Sequence, residues 1–199
     1  MIFDKDAWGW ISVAFTILGV APYIYFVLNN TIRPHVFSWF IWGTLTAIGF
    51  AAQYAEGAGP GSWATGSASV GCFCVAFLAL RRGERHITRS DWISFLAALA
   101  AIPLWYFTKD PLWSVILISI IDVLGYFPTV RKSYHKPHEE LIFTHFIGTV
   151  KFAFSFLAME QWLLTTWLYP AAISTANIAL VIMLIVRREK LAQQSGLKI

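Results

Sequence analysis

The 199-residue chain is 57% hydrophobic, 17% aromatic and only 13% charged, with 15 Lys and Arg against 11 Asp and Glu for a net charge of +4; its mean hydropathy is +0.60. Soluble domains are about 45–50% apolar and about 25% charged, so this composition excludes a water-soluble globule, a disordered chain and a nucleic-acid binder. It fits a polytopic membrane protein, because at roughly 20 residues per span the chain has room for seven helices.

Apolar runs between charged or Gly/Pro breaks predict spans at 8–28, 36–55, 62–80, 91–108, 112–131, 141–160 and 163–186. No basic segment precedes the first run, so it reads as a span and not as a cleavable leader. Polar and small residues recur at steps of three and four, which places them on one helical face. The first span has Ser12, Thr16, Gly19 and Tyr23; the second has Ser38, Trp42, Thr46, Gly49 and Gln53; the third has Ser62, Thr65, Ser69 and Cys72. In the fourth, the stretch Phe95 to Ile102 is uniformly apolar and suits contact with lipid or with neighbouring helices. The fifth has Ser119, Asp122, Tyr126, Thr129 and Ser133; the sixth has Thr144, Gly148, Lys151 and Ser155; the seventh has Thr166, Pro170, Ser174 and Asn177.

Twelve basic residues fall in the loops 1–2, 3–4 and 5–6 and at the C-terminus, among them Arg33, Arg81, Arg82, Arg131, Arg187 and Arg188, while the other side has Lys5 and Lys109. By the positive-inside rule the N-terminus is outside and the C-terminus cytoplasmic. Trp8, Trp10, Trp63, Trp92, Trp105, Trp113, Trp162 and Trp167 lie near span ends, where aromatic belts form. Cys72 and Cys74, two apart on a helix, point to different faces and read as small packing residues.

The chain repeats itself at an offset near 106. Pro22 matches Pro128, and Ser38 matches Thr144. With one residue deleted, Phe37-Ser38-Trp39-Phe40-Ile41-Trp42-Gly43-Thr44 aligns with Phe143-Thr144-His145-Phe146-Ile147-Gly148-Thr149. Spans three and seven both end in Arg-Arg before a Glu. Three helices, one extra helix and three again give parallel repeats: a first bundle at 1–85, a linker span at 86–110, a second bundle at 111–190 and a tail at 191–199.

The segment Gly125-Tyr126-Phe127-Pro128-Thr129-Val130-Arg131-Lys132-Ser133-Tyr134 resembles a PQ-loop repeat, as does Pro22-Tyr23-Ile24 followed by Ser38 and Trp42-Gly43. The layout is similar to that of the SWEET sugar transporters and, more broadly, the MtN3/PQ-loop superfamily, with Tyr23 and Thr129 where the repeat has glutamine. The resemblance implies two triple-helix bundles rocking about a central substrate site, with Pro22 and Pro128 as hinges. It also implies Asn177 as a substrate contact, whose first-bundle counterpart falls near Ser69 or Gly71. The sugar-flanking tryptophan has no match, since Trp39 and Trp42 lie nearer the cytoplasmic end.

Asp122 and Lys151 sit well inside spans, where a charge costs roughly 2.5–3.5 kcal/mol on insertion scales. They read either as an ion pair or as a proton-coupling or substrate site, with His145 a candidate extension. Glu56 and Glu160, at outer span ends, read as solvated. His135, His138, Glu139 and Glu140 lack the spacing of metal ligands and read as a solvated loop. No GxSxG, HExxH or phosphate-binding glycine loop occurs.

The expectation is thus an all-α, SWEET-like membrane protein in the plasma or bacterial inner membrane. It carries a sugar or other small polar metabolite by alternating access, is not an enzyme, and has no cofactor or metal. Its partners are the bilayer and the solute, with self-association open. Substrate would meet Asn177, Ser174, Ser69, Thr46 and Lys151. Two other roles fit the same scaffold: a cargo receptor binding a peptide carboxylate, or a retinal photoreceptor with Lys151 as the Schiff-base lysine and Asp122 as counter-ion.

Overall fold

The computed structural model describes residues 4–31, 34, 36–83, 110–135 and 137–194, with isolated positions at 89, 92, 93, 96, 99, 100, 103 and 107; at 127–129, 131, 132 and 139 it describes the backbone alone. Much of the expected linker span, the side chain of Pro128, the loop residues Arg33, Arg85, Lys109 and Lys136, and the end of the tail lie outside the described residues. Among the described residues every regular element is helical. The helices are α1 (Lys5–Leu28), α2 (Val36–Ala55), α3 (Trp63–Arg82), α4 (Pro111–His135), α5 (Ile142–Ala158) and α6 (Leu164–Gln194), with 3₁₀ turns at Gly59–Ser62 and Pro137–Glu139.

Local chemistry sets these limits. Asp4 caps α1 by accepting from the Asp6 amide (3.3 Å). Gly57, at φ +75°, ends α2: the Ala58 amide reaches back to the Gln53 carbonyl (2.9 Å) and the Gly57 amide to that of Tyr54 (3.2 Å). That doubled bond needs a left-handed residue, which glycine adopts without strain. Asp110 caps α4 through the Leu112 amide (2.9 Å), and Pro111 opens the helix at the position where its missing N–H costs nothing. For the six described helices each predicted boundary falls within a few residues of the helix found, except that α6 continues to Gln194, past the predicted end at 186.

α1, α2, α6 and the stretch Gly59–Arg82 are long and apolar enough to cross a membrane. Pro111–Tyr126 of α4 and the 17-residue α5 are shorter apolar helices. The outer surface agrees with that reading: Ile17 is 59% exposed, Phe77 63% and Leu80 69%. An apolar exterior of this kind would be unstable in water and is at home in lipid. The interior is correspondingly polar, with Ser12, Thr65, Gln53, Ser155 and Thr166 fully buried. The protein is therefore an α-helical membrane protein. Of the described bulky positions of the expected fourth span, Trp92, Ile93, Leu96 and Phe107 are exposed and Leu99 is half-buried.

Helix neighbours repeat in the two halves. α3 packs against both α1 and α2, and α6 packs against both α4 and α5. Each trio is therefore ordered first, third, second. Between trios, α1 lies on α5 and α2 lies on α4, so exchanging the halves leaves the pattern unchanged. Individual residues follow it. A methyl added to Gly19 would lie 3.3 Å from Cγ2 of Ile147, and one added to Gly125 would lie 3.7 Å from Nε1 of Trp42. The repeat offset carries Gly19 to Gly125 and Ile41 to Ile147, so Trp42 stands one residue past the position that matches Ile147. Arg82 likewise donates to the Leu28 carbonyl, while Arg187 donates to the matched Tyr134 carbonyl (3.0 Å). Each arginine ties the end of the third helix to the end of the first.

Candidate cavity between the helix trios

A cavity of about 410 Å³ lies between the trios and is lined from all six helices. It runs from mid-depth to the loops that follow α1 and α4, where Pro34, Glu140 and Leu141 border it. The opposite end is filled. Leu45, Ile48 and Ala52 of α2 pack with Ala64, Val115, Ile118, Phe152, Tyr169 and Ile173 in one buried cluster. Polar clasps join the two halves beyond it. Gln53 donates from Nε2 to the Thr166 carbonyl (2.9 Å), Ser155 from Oγ to the Gly61 carbonyl (2.5 Å), and the Glu160 amide to the Ala58 carbonyl (3.2 Å). Lys5 donates to the Met159 carbonyl.

The polar stripes divide at mid-depth. Thr16, Gly19 and Tyr23, then Ser38, Trp42 and Thr46, and also Cys72, Asp122, Tyr126, Thr144, Gly148, Lys151 and Asn177 line the cavity. The other members of the stripes, Ser12, Gln53, Thr65, Ser119, Ser155 and Thr166 among them, are buried in helix contacts. Small polar side chains serve there because their hydroxyls bond to backbone carbonyls and let helices approach; Ser119, for example, donates to the Val115 carbonyl (2.6 Å).

Of the predicted substrate contacts, Asn177, Thr46 and Lys151 line the cavity, but Ser69 and Ser174 do not. Ser69 is spent on a helix contact, donating to the Gly43 carbonyl (2.9 Å), and Ser174 is buried with its Oγ unpartnered. Both sit a helical turn from the wall position, which Cys72 takes in the first half and Asn177 in the second. Cys72 thus serves as a wall residue and not only as packing, while Cys74 is exposed on another face. Thr46 uses its hydroxyl on its own helix, donating to the Trp42 carbonyl (2.6 Å). Pro22 is within α1 but not on the wall.

Asp122 and Lys151 share the cavity without forming a contact ion pair. Asp122, 4% exposed, accepts through Oδ2 from the Tyr169 hydroxyl at 2.6 Å. The Lys151 ammonium lies 4.6 Å from the centroid of the Phe152 ring and makes no hydrogen bond among the described residues. A second network occupies the mouth. The Tyr126 hydroxyl donates to Asn177 Oδ1 (3.0 Å), His145 Nδ1 lies 2.9 Å from the same oxygen, and His145 Nε2 lies 3.3 Å from Glu140 Oε1. Both neighbours of His145 are acceptors, so completing both bonds requires a proton on each ring nitrogen. Gly148 makes room for this network, since a methyl there would sit 3.1 Å from Asn177 Nδ2.

Several expectations need correction. Glu140 is not a solvated loop residue: Arg188, in the C-terminal part of α6, draws it in. Arg188 donates to the carbonyls of Pro137 (2.9 Å) and Glu140 (2.7 Å), which brings the Glu140 side chain to the cavity mouth. Glu56 is not wholly solvated either, since its Oε2 is 3.5 Å from Thr165 Oγ1. Trp39 and Trp42 are wall residues: Trp39 stands 4.7 Å from Tyr23 and 5.3 Å from Trp42 between ring centroids. Tyr169 is a functional residue the stripe did not include; a hydroxyl bearer eight residues, about two turns, before Asn177 is the signal that points to it.

No protein-family model matches this chain, and no curated protein sequence or solved structure matches it significantly.

Proposed function

We propose that this protein is a small-solute carrier, not an enzyme, working by alternating access between two helix trios. The observation that carries the reading is a cavity bordered by matched positions of both halves, continued to one end and filled at the other. A carrier needs that asymmetry in any one state, and the opposite state follows when the two trios rock about the site so that the filled end opens as the mouth closes. The full topology in this reading has seven spans in a three-one-three, SWEET-like layout, the N-terminus outside and the C-terminus cytoplasmic. The filled end then faces outward and the cavity mouth inward. Pro22, which removes a backbone hydrogen bond within α1, and Pro128 in the matched helix are the hinges. Asp122 and His145 are the groups through which protons would couple to movement.

Purified protein reconstituted in liposomes and loaded with a radiolabelled panel of sugars, amino acids and organic acids should exchange at least one of them. Asn177→Ala should reduce that exchange about thirtyfold, through the loss of two hydrogen-bonded partners at about 1 kcal/mol each. No counterflow of any solute, or an undiminished rate in both Asn177→Ala and Asp122→Asn, would overturn the assignment.

A further inference from the structure

The two halves of the cavity wall match in position but not in chemistry. Where the first half presents Val20, Trp39 and Thr46, the second presents Tyr126, His145 and Lys151. Both walls bear hydroxyls, such as Tyr23 and Ser38 in the first half and Tyr126 and Thr144 in the second, but among the described residues the acidic and basic groups Asp122, Glu140, His145 and Lys151 all stand on the second. Charge on one half alone suits a solute with one ionised end better than a uniformly hydroxylated one.

Resting on the carrier reading of this site, we infer that its ligand is an amphipathic organic monoanion, a carboxylate on a flat apolar body. The carboxylate meets Lys151. Each acidic group on the wall already has a donor: Asp122 takes the Tyr169 hydroxyl and Glu140 takes His145. The Lys151 ammonium has only the face of Phe152. An ammonium held away from water without an acceptor is costly, and an anion entering the cavity removes that cost. Among the described residues one lysine and no arginine line the cavity, which suits a single carboxylate and falls short of the multiple donors that phosphate groups attract. The apolar body lies against Trp39 and Trp42, whose rings meet at 82° and so form a corner with one face and one edge presented. A volume of about 410 Å³ admits a ligand of one or two rings.

Calorimetric titration of the full chain in nanodiscs tests this with five probes: phenylacetate, its neutral near-isostere 2-phenylethanol, phenethylamine, acetate and D-glucose. Phenylacetate should bind about tenfold tighter than either 2-phenylethanol or acetate, the ratio expected for one hydrogen-bonded charge pair and for one buried ring. Lys151→Gln should abolish the preference for phenylacetate over 2-phenylethanol, Lys151→Arg should preserve it, and Trp39→Leu should weaken both ring-bearing probes alike. Phenethylamine binding as tightly as phenylacetate, a preference unmoved by Lys151→Gln, or no binding of phenylacetate would each overturn the inference. The wild-type probe series decides even if a variant fails to fold. Glucose bound and transported with phenylacetate ignored would sink the monoanion and leave the carrier standing. Phenylacetate bound as described but never moved across a liposome membrane would support the ligand class and sink the carrier.

Discussion

Tyr169 and Asp122, both buried, bond at 2.6 Å, and their exchangeability differs. Tyr169→Phe deletes the donor and leaves a buried carboxyl without it, a loss of about 1–3 kcal/mol. Asp122→Asn keeps an oxygen that can accept from the same hydroxyl and should cost less. Thermal unfolding in detergent checks the order: for a chain of this size about 1 kcal/mol moves the midpoint by roughly 2–4 °C, and the Phe variant should melt below the Asn variant. The sequence singled out Asp122, because a charge inside an apolar run is conspicuous. It could not single out Tyr169, since a tyrosine near a span end is ordinary until a carboxylate is seen to face it.

Among the elements, a tight joint lies where the 3₁₀ turn before α3 meets the end of α5. A methyl on Gly61 would stand 2.5 Å from Met159 Cγ and 2.8 Å from Met159 Cα. Backbone cannot yield as a side-chain tip can, so Gly61→Ala must part the two loops and should cost about 1–3 kcal/mol. Gly125→Ala meets nothing nearer than 3.7 Å and should leave the melting midpoint unchanged. Equal midpoints for the two variants would refute this account of the joint. Helix limits were legible beforehand, because caps such as Asp110-Pro111 and stops such as Gly57 act within a few residues. The division of each polar stripe into cavity wall and helix contact was not legible: Ser69 and Cys72 share a face of α3, and only the approach of Gly43 decides which of them is covered.

At the scale of the molecule, the cavity is continuous with one end only. Cys72 borders it and Cys74 does not. On a Cys74→Ser background, a small membrane-impermeant thiol reagent should modify Cys72 in oriented vesicles from the side of the loops that follow α1 and α4. The same reagent applied to the other face should leave it unmodified, because the buried cluster around Leu45 and Ile118 stands between. Modification at equal rates from both faces would mean that the filled end is not a seal.

The order of the chain alone determined its class, the limits of its helices, its internal repeat and the charges that lipid would not tolerate, because each of these rests on local composition or fixed spacing. Tertiary structure decided which groups are partners. Asp122 went to Tyr169 and not to Lys151, Glu140 was drawn to His145, and Trp39 and Trp42 became one wall of a cavity. Such choices depend on the rotation and approach of helices distant in sequence, set by glycine contacts and loop clasps that no periodicity encodes.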